Sequence, residues 1–101
     1  MLTITAIIRT KQGYEETMRE ALLEVAQNVQ ANEPGTLGFF ISQDLKDPCL
    51  FTTYERFADQ GAMDRHNGSD VVARFFAIAR PILHGDVVLV TAGEISAKDR
   101  G

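Results

Sequence analysis

The sequence predicts an α+β fold in which helices cover one face of a four-stranded antiparallel sheet. Three observations lead to this prediction. Apolar residues alternate in four short segments, recur at helical spacing between them, and follow the order β-α-β-β-α-β. The two middle strand segments are separated only by a short turn, which favours an antiparallel hairpin. This order is typical of a ferredoxin-like βαββαβ antiparallel sheet.

The first strand and the first helix are distinguished by a change of period. In residues 2–9, LTITAIIR, the even-numbered positions are all apolar and form one face. The odd-numbered positions form a second face that is only partly apolar, and this alternation indicates a strand. KQG then turns the chain. From Tyr14 onward, apolar side chains recur at helical spacing. This helix is expected to end at NEPG, because the residue before Pro34 is disfavoured in the helical region.

The middle of the sequence predicts a hairpin and a short helical segment. Residues 36–45 and 49–57 are predicted strands joined by KDP. In the first of them we expect Leu37, Phe39 and Ile41 to share one face. Residues 58–66, ADQGAMDRH, are predicted to be helical and to stop at NGSD.

The last part of the sequence predicts a helix, a strand and a tail. Ser69 or Asp70 is a good N-cap, and Pro81 is expected to bend or end the helix that follows. Residues 87–95 are predicted to form the last strand, and residues 95–101 a loose tail. The chain is therefore predicted to be one domain, residues 1–101.

Charge and composition exclude several classes of protein. The net charge is −4, and ten basic residues are scattered among fourteen acidic ones, which argues against partners such as nucleic acid or a membrane surface. The single cysteine, Cys49, cannot form an internal disulfide. No apolar stretch approaches the roughly 18 residues that a membrane span needs, and the first residues do not match a signal peptide. We therefore expect a cytoplasmic protein.

The predicted strands carry apolar residues on both faces. Ile7, Phe40 and the run VVLV at residues 87–90 would leave the face without helices uncovered in a chain of 101 residues. A second subunit could cover such a face. The sequence therefore predicts a homodimer in which sheet packs on sheet.

Residues 33–66, EPGTLGFFISQDLKDPCLFTTYERFADQGAMDRH, carry a resemblance to a known family. They contain EPG after the first helix, DP in a hairpin turn, YER at the end of the third strand and a histidine at the end of a short helix. With KQG before the first helix, similar to KPG, the chain from residue 2 to about residue 92 resembles the antibiotic biosynthesis monooxygenase domain. The resemblance implies a dimeric α/β barrel.

The resemblance leaves several activities open. Members of the family include cofactor-free oxygenases of phenols and quinols, haem-degrading oxygenases, and isomerase-like enzymes acting on a small phosphorylated signal molecule. Phe57 stands where members often have Trp, and Val71 where they often have a second His. The haem-degrading branch is a poor match, because Ala6 or Ile7, His66 and Phe76 occupy its Asn, Trp and His positions.

His66 is the best catalytic candidate in the sequence. It shares a predicted helix face with Ala62 and Met63, and a neutral imidazole can accept a proton from a phenol or an enol. The alternative is a histidine that satisfies a buried backbone group. Asn67 could orient a substrate oxygen, or could end the helix in a left-handed conformation before Gly68.

The other candidate site residues are aromatic. Tyr54 could donate a hydrogen bond to a ligand oxygen, and Phe39, Phe75 and Phe76 could line a pocket for a flat aromatic ligand beside His66. Glu55 and Arg56 are expected to form a solvated rim. No metal-ligand spacing and no phosphate-binding loop is visible, so we expect no flavin, haem or metal cofactor.

These observations favour a cofactor-independent monooxygenase-like enzyme that acts on a small aromatic or quinol-type substrate, with His66 as the candidate base. Two alternatives stay open. One is a non-catalytic dimer that binds a small molecule. The other is an isomerase of a small hydroxyketone, because enolisation also needs a single base.

Overall fold

The computed structural model describes residues 1–98, and the end of the predicted tail, residues 99–101, lies outside the described residues. It contains four strands, three α-helices and one 3₁₀ turn. In chain order these are β1 Leu2–Arg9, α1 Glu15–Asn32, β2 Thr36–Gln43, β3 Leu50–Phe57, α2 Gln60–Asn67, α3 Asp70–Ala79, the 3₁₀ turn Arg80–Ile82 and β4 Val88–Gly93.

The four strands form one sheet with the order β2-β3-β1-β4, and all neighbouring strands are antiparallel. This confirms the predicted α+β class and its ferredoxin-like order. In the register of the sheet, Ile7 of β1 lies between Thr52 of β3 and Val88 of β4. Strand β1 is therefore central, and β2 and β4 are the edges.

The core lies between one face of the sheet and the helices. The inward residues of β1 are Ile4, Ala6 and Ile8, as the alternation predicted. They belong to two clusters that also contain residues of the helices and of β3, and Met18, Phe57 and Ala79 are fully covered there. Burial of these apolar side chains is the main source of stability for the fold.

One face assignment in β2 is wrong. Leu37 was expected to share a face with Phe39 and Ile41, but it is exposed, while the other two are half-buried. The cause is a β-bulge: the register shifts between Thr36 and Gly38, so Leu37 is an extra residue. A Cβ at Gly38 would lie 2.9 Å from the Phe40 ring, which explains the glycine at the bulge.

The ends of the hairpin strands differ from the prediction by one or two residues. Strand β2 ends at Gln43 because the next residue, Asp44, forms the turn: its carboxylate accepts hydrogen bonds from the backbone N–H groups of Lys46 and Asp47. Strand β4 is also shorter than predicted, and it ends at Gly93. The residues that follow, up to residue 98, form no helix or strand.

The helical segments follow the sequence closely. Ser69 is the N-cap of α3, where its hydroxyl accepts a hydrogen bond from the Val72 N–H at 3.3 Å. Helix α3 ends at Ala79, and Pro81 lies within the 3₁₀ turn that follows, as expected for a residue that cannot continue a helix. Among the described residues, no helix is long and apolar enough to cross a membrane.

The face of the sheet away from the helices is open and partly apolar. We call it the open face. Ile7 is 42%, Val88 52% and Phe40 57% exposed on it, and Val90 is equally accessible. These residues belong to all three of β1, β2 and β4, so the apolar surface crosses the sheet. A contiguous surface of this kind is typical of an interaction site.

Candidate functional site

His66 lies on the inner side of α2. The helix begins at Asp59, whose carboxylate caps it by accepting a hydrogen bond from the Ala62 N–H at 2.8 Å. The residues of α2 that point inward are Ala62, Met63 and His66, which confirms the predicted face. The imidazole is almost completely buried, with 4% exposure.

Both ring nitrogens of His66 contact a carboxylate. Nδ1 lies 2.8 Å from Oε1 of Glu33, which follows α1, and Nε2 lies 3.3 Å from Oε1 of Glu55, which is on β3. We call this arrangement the Glu33–His66–Glu55 chain. Because each carboxylate oxygen accepts and does not donate, the doubly protonated ring is the form that satisfies both contacts.

The two carboxylates are held by further donors. The Thr36 hydroxyl donates to Oε1 of Glu33 at 2.8 Å, and the Asn28 amide donates to Oε2 at 3.0 Å. The Thr53 hydroxyl donates to Oε2 of Glu55 at 2.7 Å. Among the described residues, no buried side-chain nitrogen or oxygen lacks a hydrogen-bond partner. The site is therefore fully paired without a ligand.

The surroundings raise the pKa of His66. Burial alone would lower it, since a buried ring loses the hydration of its charged form. The hydrogen bonds to Glu55 and Glu33, together with their negative charges, outweigh that effect and raise the pKa above the ordinary histidine value. The site therefore stabilises an imidazolium rather than the neutral ring that the sequence argument assumed.

Close packing brings α2 to the two carboxylates. A Cβ at Gly35 would lie only 2.7 Å from the Cβ of Ala62, so glycine in EPG lets α2 approach the segment that carries Glu33. The imidazole then fits between Phe39 and Phe57, whose ring centroids lie 5.5 Å and 5.3 Å from its own. The EPG motif and the histidine thus belong to one packed unit.

A cavity of about 220 Å³ opens beside the Glu33–His66–Glu55 chain, between the sheet and helices α1 and α3. Glu55 and His66 are its charged lining residues, and Thr53 and Asn67 are its uncharged polar ones. The rest of the lining is apolar. It consists of Ile4, Ala6, Ile8, Leu22, Val25, Phe39, Val72, Phe75, Phe76, Val87 and Leu89.

The structure brings most of the candidate residues together. The lining includes His66, Asn67, Phe39, Phe75 and Phe76. Asn67 is the last residue of α2 and is exposed. The left-handed alternative for Asn67 is wrong, because among the described residues only glycines have a positive φ.

Tyr54 requires a correction. It was expected near His66, but its neighbours in β3, Thr53 and Glu55, point toward the helices, so Tyr54 points to the open face. There its hydroxyl donates to Oε2 of Glu94 at 2.8 Å. Tyr54 therefore does not line the cavity.

The two carboxylates were not among the residues predicted to form the site. Glu55 was expected at a solvated rim with Arg56, but it is buried, with 7% exposure. The signal was present in LFTTYERF, because Phe51, Thr53, Glu55 and Phe57 share one parity. An acidic residue between two inward phenylalanines needs a buried partner. Glu33 was noticed only as part of EPG.

Cys49 and the acidic side chains give weaker indications of a functional site. Cys49 donates a weak hydrogen bond from Sγ to Oε1 of Glu15 at 3.3 Å. Burial and this hydrogen bond raise the pKa of Cys49, which disfavours the reactive thiolate. Within residues 1–98, no cluster of three or more His, Cys, Asp or Glu side chains could hold a metal ion.

Solved structures share this fold. A Caulobacter crescentus protein named for the antibiotic biosynthesis monooxygenases aligns with a TM-score of 0.87 at 21% identity, over 94% of this chain and 90% of that one. A Bacteroides thetaiotaomicron protein named for the same family aligns with a TM-score of 0.88 at 17% identity, over 99% and 94%. A Pseudomonas aeruginosa protein aligns with a TM-score of 0.84 at 25% identity, over 94% of each chain.

A search of curated proteins found no significant match. The sequence profile of the antibiotic biosynthesis monooxygenases matches residues 1–78, a segment that contains Glu33, Glu55 and His66. The match covers most of the chain and agrees with the fold of the solved structures. The chain therefore belongs to the antibiotic biosynthesis monooxygenase family.

Proposed function

We propose that this protein is a cofactor-independent monooxygenase that acts on a small, flat phenol or quinol-type molecule. The observation that carries the proposal is the buried Glu33–His66–Glu55 chain, which meets an apolar cavity at Glu55 and His66. A proton-accepting group inside an apolar pocket is the arrangement that favours removal of a proton from a weakly acidic hydroxyl.

The chemistry needs little more than proton removal. Loss of the hydroxyl proton turns the substrate into an electron-rich anion that can react with dioxygen. Where the keto form of the substrate carries a CH₂ group, one oxygen atom replaces its two hydrogens and the other leaves with them as water. The substrate itself supplies the electrons, so no external reductant is required.

The cavity limits the size and character of the ligand. Its volume of about 220 Å³ is below the usual range for drug-sized ligands, which indicates a small molecule. Phe75 and Phe76 lie edge to face, with centroids 5.3 Å apart, and Phe39 lies beside the imidazole. These rings favour an aromatic ligand, and we propose that Asn67, a polar residue of the lining, orients a ligand oxygen.

We further propose that the protein is a homodimer in which the open faces of two sheets pack together. Ile7, Phe40 and Val88 are exposed on this face, and a second subunit would cover them. Sedimentation at micromolar concentration should give a species twice the chain mass of 11.2 kDa. A single species at the monomer mass would overturn this part of the proposal.

The activity is tested by dioxygen uptake with a panel of phenols, quinols and their keto tautomers. The protein is treated with a chelator and assayed without flavin or haem. We expect uptake with at least one compound, and at least a hundredfold lower rate for His66→Gln. His84→Gln, which changes the exposed second histidine, is the control and should keep the wild-type rate.

Two outcomes would favour the alternatives. Binding of these compounds without dioxygen uptake would favour a non-catalytic small-molecule-binding protein. Hydrogen exchange at the carbon next to the carbonyl of a small hydroxyketone, without dioxygen uptake, would favour an isomerase. The Glu33–His66–Glu55 chain could accept the proton in that reaction too.

A further inference from the structure

We propose that the Glu55 carboxylate, and not the His66 imidazole, meets the substrate hydroxyl, and that the cavity therefore selects neutral hydroxyarenes over carboxylates and phosphates. This inference rests on the proposed function, because it concerns the same cavity. It assigns the proton acceptor to the Glu55 carboxylate and the substrate to the uncharged class. His66 then becomes a positioning residue for Glu55.

Glu55 and His66 differ in the number of hydrogen-bond acceptor positions that they leave free. An ionised carboxylate has about four lone-pair positions. Glu55 uses one for His66 Nε2 and one for the Thr53 hydroxyl, so it can still accept a hydrogen bond from a ligand. His66 has no such capacity, because both of its nitrogens already face carboxylate oxygens.

The charge at the end of the cavity favours a neutral ligand. A protonated His66 between two carboxylates leaves one net negative charge, and the remaining side chains of the lining are uncharged. In an apolar pocket that charge repels an anionic ligand. The Arg80 guanidinium stacks on Phe76 at 5.6 Å from the ring centroid, but Arg80 is exposed and is not part of the lining.

The proton step follows from this geometry. The substrate O–H bond breaks, an O–H bond forms on Glu55, and the electron pair stays on the substrate oxygen. Throughout, Nε2 of His66 holds Oε1 of Glu55 while the Thr53 hydroxyl holds Oε2. Glu33 fixes the other side of the ring through Nδ1.

The alternative assignment predicts a different bound species. If the imidazolium met the ligand, it would donate a hydrogen bond to the ligand oxygen and would stabilise the phenolate anion. If the Glu55 carboxylate meets the ligand, the resting complex holds the neutral phenol hydrogen-bonded to Glu55, and the phenolate forms only when the proton moves to Glu55. The protonation state of a bound phenol, compared between the wild type and Glu55→Gln, therefore distinguishes the two assignments.

The test uses 4-nitrophenol at the pH where half of it is ionised in solution, because its two forms absorb at different wavelengths. On titration with wild-type protein we expect the phenolate band to decrease. 4-Nitrobenzoate, an anion of similar shape, should bind at least tenfold more weakly. An increase of the phenolate band that is kept in Glu55→Gln would overturn the assignment to Glu55 but would leave the proposed ligand class in place, whereas an increase that is lost in this variant would support the assignment, because Glu55 would then hold the proton.

Two variants complete the test. Glu55→Gln should weaken 4-nitrophenol binding at least tenfold, whereas Glu20→Gln, the same change at an exposed carboxylate of α1, should not. Unchanged binding by a folded Glu55→Gln protein would overturn the inference. Failure of the wild-type protein to bind 4-nitrophenol or any other phenol would overturn the proposed function as well.

The role of His66 has its own readout. In ¹⁵N spectra of the wild-type complex, both ring nitrogens of His66 should keep the imidazolium shifts when 4-nitrophenol binds. Loss of the Nε2 proton on binding would show that the imidazole itself exchanges protons with the ligand, and would overturn the positioning role.

Discussion

Strand β3 sends neighbouring side chains to two faces of the sheet, and the ionic clusters on these faces differ in their access to water. On the helix side, Glu55 joins the buried chain with His66. On the open face, Arg56 donates to Glu94 at 3.0 Å and 2.8 Å, and Tyr54 adds a third hydrogen bond. The hydrogen-bond lengths are similar, and the Glu94 side chain is as covered as that of Glu33, with exposures of 11% and 12%, but Arg56 at 21% is more accessible than His66 at 5%.

The difference shows how surroundings set the value of an ion pair. On the open face, hydrogen bonds from Arg56 and Tyr54 lower the pKa of Glu94, and the hydrogen bond to Glu94 raises the pKa of Tyr54. Water reaches Tyr54 and Arg56 more readily than His66, so the loss of one partner on the open face is smaller than in the Glu33–His66–Glu55 chain. In the Glu33–His66–Glu55 chain, no water replaces a lost partner, and an unpaired charge remains buried.

The largest expected effect comes from breaking the buried cluster. His66→Gln removes the cation between Glu33 and Glu55, so two buried carboxylates are left facing each other. We expect the free energy of unfolding to fall by about 3 kcal/mol. Urea denaturation at neutral pH measures it, with His84→Gln as the control. A loss for His66→Gln no greater than that of the control would contradict this contrast between the faces.

The next effect tests what covers the open face. Ile7→Lys places a charge in the middle of the proposed subunit interface. We expect the dimer dissociation constant to rise at least about a hundredfold, or about 2.7 kcal/mol, because the charge must be buried unpaired. Sedimentation over a range of concentrations measures it. Glu20→Lys on α1 is the matched control, and equal dissociation constants for the two variants would argue against this interface.

A smaller effect is expected on the pH dependence of the free energy of unfolding. The pKa of His66 is raised in the folded chain, so the folded state holds this proton more tightly than the unfolded state. Its stabilisation is complete below the ordinary histidine value of about 6.5 and is lost as pH rises through the higher folded-state value. The free energy of unfolding of the wild type should therefore fall as pH rises from about 6.5 through the folded-state pKa of His66. His66→Gln should lack this fall, and His84→Gln should keep it; a flat wild-type profile would contradict the prediction.

The smallest effect is expected on the open face. Glu94→Gln, made in the Ile7→Lys background to remove any contribution from subunit association, should shift Tm by no more than about 2 °C. It should leave 4-nitrophenol binding unchanged, because Tyr54 and Glu94 lie on the face opposite to the cavity. A shift as large as that of His66→Gln would remove the distinction between the two clusters.

Local patterns predicted the elements but not every face. The alternation in β1 and the helical spacing of α2 correctly predicted Ile4 and His66 as inward residues. Leu37 was misassigned, because a bulge depends on how β2 pairs with β3 and leaves no mark in a period of two. Tyr54 was misplaced for a related reason: alternation separates the two faces of a strand without saying which one the helices cover.

The candidate site was harder to predict than the fold. Acidic residues are rarely buried, so composition argues for an exposed Glu55 unless its partner is known. That partner is His66, eleven residues later on α2, and the second carboxylate is on the far side of the β2–β3 hairpin. Only the packing of α2 against the EPG segment brings the three together.

The Glu33–His66–Glu55 chain also bears on how the sheet finds its correct alignment. If β3 slipped by one residue against β1, Tyr54 and Arg56 would turn toward the helices and Glu55 would turn away. His66 would then lose one of its two carboxylates, and a second cation would be buried beside it. The three residues therefore penalise the nearest misaligned sheet, so the polar centre of the candidate site also selects the native register.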